Sequence, residues 1–227
     1  MNEAYNPVLT QYPNIKLLYF LGEEKTDLIG DQYIHLPGVK NDYLSASYKQ
    51  FLGLKYIYEH YQPKFIMSIG TDTYVNIKKL NLFLTQYDPN ESLYIGGHGD
   101  IRDLGICKVF FHSGGPGFIL SKTCLHYIYN QLDTFMDTWI ALCKTYKLDL
   151  VPACDVGIAY LIQMLGANNI FTKTVNTGNY MFTHCNHRGY PCHVGKINMS
   201  QLISCHNMSL RDFDDFTHIL NTHQYFI

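Results

Sequence analysis

Apolar positions along this chain follow two rhythms that take turns. Ile15 to Gly22, IKLLYFLG, is apolar but for Lys16 and closed by glycine, the pattern of a strand buried on both faces. DQYIHLPG reads as a shorter strand stopped by Pro37-Gly38. From Asp42 the period changes. Leu44, Tyr48, Phe51, Leu54, Tyr58 and Tyr61 recur three or four apart, one helical stripe with Asp42 as its cap and Pro63 as its stop. KFIMSI, Lys64 to Ile69, is the next buried strand, and Asn76 caps a helix that turns Ile77, Leu80, Phe83 and Leu84 inward.

The alternation continues. SLYIGG is a strand, and KVFFHSGGPGFILS, Lys108 to Ser121, is a strand, a glycine turn and more apolar chain. Ser121 caps a helix through Leu132, and a second helix runs from Phe135 to Tyr146. Asp155 opens a third, with Ile158, Leu161, Ile162 and Leu165 on one face. Asn169–Val175 and Ser200–His206 read as extended, and Ser209 caps a last helix carrying Phe213, Phe216, Ile219 and Leu220. Strands alternating with helices predict an α/β fold, a mostly parallel central sheet with helices on both faces. Ligands in such sheets bind beyond the carboxyl ends of the strands, and Asp72 lies just past one of those ends.

Composition narrows the class. The 227 residues are 47% hydrophobic and 15% aromatic, enough for a sizeable core in a single domain over residues 1–227, since no repeat or linker marks a boundary. With 16% charged residues and a net charge of -2, no basic surplus points to nucleic acid. No apolar run reaches the length of a membrane span, and MNEAYNPVLTQYPN lacks the layout of a signal peptide. The expectation is a soluble protein of the cytoplasm, or of a host-cell cytoplasm, with its seven cysteines as thiols.

Several stretches taken together resemble the fringe and core-1 galactosyltransferase group, inverting β1,3-glycosyltransferases of family 31. YLSASYKQFLGLKYIYEHYQPKFIMSIGTDTYVNI is similar to the group's donor half, in which a helix with a lysine near Lys49 leads to a strand ending in three acids. LYIGG matches the next strand. FFHSGGPGFILS looks like the group's Gly-Gly-Ala-Gly-Phe segment, with Pro116 in place of Ala. VPACDVGIAYLIQMLG resembles its Glu-Asp-Val segment, and LISCHNMSLRDF its late Ile-Ser-Phe-His-Tyr segment. The ordered series covers roughly Ile15 to Leu220.

Three departures stand out. The acidic triplet is Gly70-Thr71-Asp72, Cys154 stands where an acid usually precedes the base, and fourteen residues before Ile15 leave no room for the group's first strand and helix. The resemblance therefore implies a GT-A-like nucleotide-sugar-binding fold, in a chain that either is a fragment or lacks the usual first strand and binds the nucleotide differently; the group's members are otherwise Golgi-lumenal.

The implied reaction is transfer of a hexose or N-acetylhexosamine from a UDP-sugar donor to a glycan or glycoside acceptor, with a β1,3 product. Mn²⁺ or Mg²⁺ would neutralise the leaving diphosphate. The resemblance makes Asp72 a metal ligand and, with Thr71, part of the donor site; the bland alternative is an Asx-turn between strand and helix. His184 best matches the group's metal-binding His, with His206 and His187 as competitors among eleven histidines. Asp155 would be the general base, although it is also well placed as an N-cap. Gly114 and Gly115 would let backbone approach the donor, or make an ordinary tight turn. Lys49 faces either a phosphate or solvent. Cys185, His187, Cys192 and His193 are zinc-ligand types without paired spacing. One relative of the core-1 enzyme is a chaperone without the acidic motif, so a catalytically inactive sugar-binding or chaperone role is the rival expectation.

Overall fold

The computed structural model of the chain describes residues 9–23, 27–97, 99–178, 181–184, 201–209 and 212–213. Its central sheet has the order β3-β8-β5-β9, built from β3 (Phe65–Ser68), β5 (Leu93–Gly96), β8 (Phe118–Ser121) and β9 (Lys173–Asn176). β8 runs antiparallel to both β3 and β5, whereas β5 and β9 are parallel. Three of the four strands thus share a direction, as the alternation predicted. The paired neighbours, however, are more often antiparallel, which corrects the mostly parallel sheet expected. The cause is local: β8 returns through the glycine turn and slots between β3 and β5 with no crossover helix before it.

Alternation along the strands splits the core in two. Ile66, Tyr94, Phe118 and Leu120 face one way and pack beneath α1 (Ala46–His60), α3 (Lys122–Tyr129), α4 (Leu132–Thr145) and α5 (Cys154–Ala167). Leu93, Ile95 and Ile119 face the other way, onto α2 (Ile77–Leu84) and a small sheet of order β10-β11-β4. That sheet joins β4 (Tyr74–Val75), β10 (Phe182–His184) and β11 (Ser204–His206). Helices therefore cover both faces, the mixed α/β arrangement of a GT-A-like fold. β1 (Tyr19–Leu21) and β2 (Tyr33–His35) form a separate parallel pair, and β6 (Gly99–Asp103) with β7 (Lys108–His112) forms a hairpin against α5.

Several predicted boundaries move for identifiable reasons. α1 begins at Ala46, so Leu44 lies ahead of it and is exposed, and Tyr48, in its first turn, is exposed as well rather than part of the buried stripe. Asp42 accepts the Ser45 N–H at 2.8 Å and so caps the turn ahead of the helix. The buried face of α1 uses small residues: a Cβ on Gly53 would lie 2.9 Å from the Phe20 ring, and the Ser47 hydroxyl donates to the Val151 carbonyl at 2.6 Å. Asn76 and Ser121 cap α2 and α3 as their spacing predicts. Ser209 and Asp212 form a reciprocal capping pair; Phe216, Ile219 and Leu220 of the last predicted helix lie outside the described residues.

No described helix is long and apolar enough to cross a membrane. Ser121 ties sheet to helix more than a cap alone would. Its buried hydroxyl accepts from Cys124 N–H at 3.2 Å and Leu93 N–H at 2.9 Å, and donates to the Glu91 carbonyl at 2.6 Å. Ser121→Ala removes the cap and strands a buried amide; the expected cost is about 2–3 kcal/mol in denaturant unfolding.

Candidate functional site

Asp72 lies in the passage from the central sheet to the small sheet, between β3 and β4. Its carboxylate does not close an Asx-turn. Oδ1 meets His206 Nε2 at 3.1 Å, and the Asp72 backbone carbonyl accepts the Met208 N–H at 3.0 Å, so side chain and main chain both engage the exit of β11. The Asp72 side chain is 45% exposed and that of His206 20%. Burial pushes the His206 imidazole below its ordinary pKa, and the Asp72 carboxylate opposes this. The ring is thus neutral near pH 7, the form that ligates metals. Gly70 makes room for the pair, since a Cβ there would stand 2.9 Å from Asp72 Oδ1. Thr71 is exposed on the same bend.

The glycine turn Gly114-Gly115-Pro116-Gly117 runs from β7 to β8, and each glycine makes a close approach. Gly114 N–H donates to Asp155 Oδ2 at 2.8 Å, and a Cβ on Gly114 would sit 3.2 Å from that of Asp155. A Cβ on Gly115 would lie 2.4 Å from His206 Nδ1. Gly117 has φ +96° and would press on the Ser68 carbonyl at 2.8 Å. Asp72, His206, Gly115, Gly114 and Asp155 thus form one continuous row of contacts. The structure brings together two acids from opposite sides of the sheet, with only two glycine residues between the imidazole and the second carboxylate.

Asp155 is not the N-cap. α5 is preceded by Ala153, which makes no side-chain cap, and Asp155 is the second residue of the helix. Its Oδ1 takes the Val156 N–H at 2.9 Å, and Oδ2 takes Gly114. Each oxygen keeps a lone pair free for another donor. Cys154 does not replace the missing acid, because burial pushes its thiol up to about 12. Tyr94 stays a phenol, held protonated chiefly by burial and further by the charge of Asp155.

Other expected members lie elsewhere. Lys49 is half-buried in the first turn of α1; the Asp42 carboxyl is held low by its bonds to Ser45 and, more weakly, by the charges of Lys40 and Lys49. Among the described residues no contact of Lys49 with Asp72 or Asp155 is seen. Its neighbour Gln50 instead pins α1 to the end of β3 by a 2.9 Å bond to Ser68 Oγ. His184 occupies the register position beside His206 in the parallel β10–β11 ladder. Cys185, His187, Cys192 and His193 lie outside the described residues. Among the described residues, no three His, Cys, Asp or Glu side chains converge on one point.

The sequence reading passed over His112, Thr73 and Ser204. All three are fully buried beside the turn. Thr73 directly follows Asp72 and Ser204 stands two before His206, so proximity to the acid and the imidazole was the available signal.

A family model described as Fringe-like matches residues 38–174. The chain belongs to the Fringe-like family. The matched stretch contains Asp72, the glycine turn and Asp155; His206 lies beyond it. This Fringe-like chain is also 36% identical over 100 residues to human chondroitin sulfate synthase 3, and 35% identical over 100 residues to the mouse protein. Each match takes in 40% of this chain and 11% of the relative, so the chain spans a small part of those proteins.

His112 gives the site a pH signature. Its ring is wholly buried, both nitrogens lack a hydrogen-bond partner among the described residues, and burial pushes its pKa from 6.5 down to about 4. Between those values the unfolded chain binds a proton that the folded chain refuses, so stability falls as pH drops from about 6.5 toward 4. In His112→Met, the slope of unfolding free energy against pH in this window is expected to be smaller by up to about 1.4 kcal/mol per pH unit, measured by denaturant titration.

Proposed function

We propose that this chain is a glycosyltransferase that moves a hexose or N-acetylhexosamine from a UDP-sugar to a hydroxyl of a glycan or glycoside. The observation that carries the reading is the row from Asp72 through His206 and the two glycines to Asp155. Membership of the Fringe-like family and likeness to proteins named as chondroitin sulfate synthases support a glycan product.

The donor set suits Mn²⁺ or Mg²⁺. Asp72 and His206 put a carboxylate and an imidazole, two donor types that these ions accept, in direct contact at 3.1 Å. Asp72 and His206 would hold the ion, with His184 next in register, and substrate phosphates and water would complete its shell. When bound, the ion supplies positive charge against which the diphosphate can leave.

Asp155 takes the proton of the acceptor hydroxyl as that oxygen bonds to the anomeric carbon. The bond from that carbon to the diphosphate breaks, and the electron pair leaves with the diphosphate. Attack opposite the leaving group inverts the centre, giving a β product, in 1,3 linkage by the family resemblance. The Gly114 and Val156 amides fix the direction of the carboxylate, at the expense of some basicity. Because Gly114 and Gly115 carry no side chain, the Asp155 carboxylate and the His206 imidazole both stand close against the turn.

Calorimetry with UDP and Mn²⁺, joined to a hydrolysis screen over UDP-sugars, tests the reading. Metal-dependent UDP binding and turnover of at least one donor are expected. Asp72→Ala should weaken Mn²⁺-dependent UDP binding at least about tenfold. Asp155→Asn should lower turnover by about 10²–10⁴ while UDP binding persists. A wild-type chain that binds no UDP with Mn²⁺ refutes the enzyme and favours a sugar-binding or chaperone role.

A further inference from the structure

We propose that Thr73 and Ser204 are positioning residues that set the separation between the cation side and the base side of this site. The inference rests on the glycosyltransferase reading above. Both side chains are fully buried, and both donate to carbonyls of the glycine turn: Thr73 Oγ1 to Gly115 at 2.6 Å, and Ser204 Oγ to Pro116 at 2.5 Å. The two bonds grip consecutive residues of the turn, one from Ser204 in β11 and one from Thr73, which directly precedes β4, the strand that β11 pairs with.

The geometry is economical. Thr73 is bonded in sequence to Asp72. Ser204 and His206 share one face of β11, because side chains alternate along a strand, and both meet the turn: the serine at Pro116, the imidazole at Gly115. On the far side the same turn holds Asp155 through the Gly114 amide. Glycine backbone is conformationally loose, and proline offers no N–H, so this turn has few means of fixing itself. The two hydroxyls supply the restraint. Asp72 and His206 reach their partners whether or not the hydroxyls are present; what the hydroxyls fix is how far Asp155 stands from them.

The test compares Thr73→Val, which keeps the shape and removes the O–H, with Ser204→Ala and the conservative Thr73→Ser. Three quantities are read on the whole chain: UDP binding with Mn²⁺, turnover of the UDP-sugar that the wild type hydrolyses, and hydrogen exchange of the Gly114 amide. The expected result is a kcat lower by about 10- to 100-fold in Thr73→Val and Ser204→Ala, UDP binding unchanged, faster Gly114 exchange, and recovery in Thr73→Ser. Wild-type kcat and wild-type Gly114 protection in both variants overturn the proposal. So does a loss of UDP binding and kcat in step with a fall in melting temperature, which marks a merely structural role. If Thr73→Val does not fold, Ser204→Ala decides the matter from the other hydroxyl. A wild type that hydrolyses no donor refutes the enzyme reading alone, and the exchange measurement still decides whether the hydroxyls hold the turn.

Discussion

The site depends on backbone approaching side chain where no Cβ intervenes. Gly115 lets the His206 ring settle against the turn, and Gly114 lets the Asp155 carboxylate reach its amide. A methyl group at Gly115 would overlap the imidazole at 2.4 Å and push the small sheet away from the turn. The two faces of the central sheet, each with its own apolar core, are thereby joined at one edge by polar contacts rather than by packing. Apolar burial supplies the bulk of the stability but no direction. The short bonds around the turn convert two separate cores into a site with a defined spacing.

A close approach of the same kind occurs at the first position of the triplet. Where an acid would stand at position 70, this chain has a glycine over which the Asp72 carboxylate lies. A single carboxylate with one imidazole holds fewer charges than a triplet, so the site has less negative potential before a ligand arrives. Cys154, uncharged in its buried position, adds none.

Much of the architecture was legible in the sequence because it is written in apolar periodicity. β3, β5 and β8 are continuous apolar runs, and α2 and α3 carry their caps at Asn76 and Ser121. β6 was not legible: Gly99–Asp103 is mostly exposed and charged, and it exists because it pairs with β7. β4 and β10 are two and three residues long, too short for any period to show. For the site, the sequence offered Asp72, Asp155 and the two glycines but ranked His184 above His206, since a residue's partner in a ladder is invisible in one dimension. It also left a helix cap open as the alternative role for Asp155, because an acid near a helix start has that meaning by default. Only the folded chain shows its carboxylate drawn aside to Gly114. Thr73 and Ser204 offered only their nearness to Asp72 and His206 as a signal, since hydroxyl residues are common and their partners here are carbonyls far along the chain.

The placement of β11 has a temporal consequence. Asp155, the glycine turn and the whole central sheet are encoded before Asn176, whereas His206 comes near the end of the described chain. On a ribosome adding about 5–20 residues per second, the sheet emerges seconds before the imidazole does. During that interval Asp72 faces solvent without its partner, and the turn lacks the serine that holds Pro116. The nascent chain thus holds the sheet and the glycine turn before the strand that completes the row of contacts from Asp72 to Asp155.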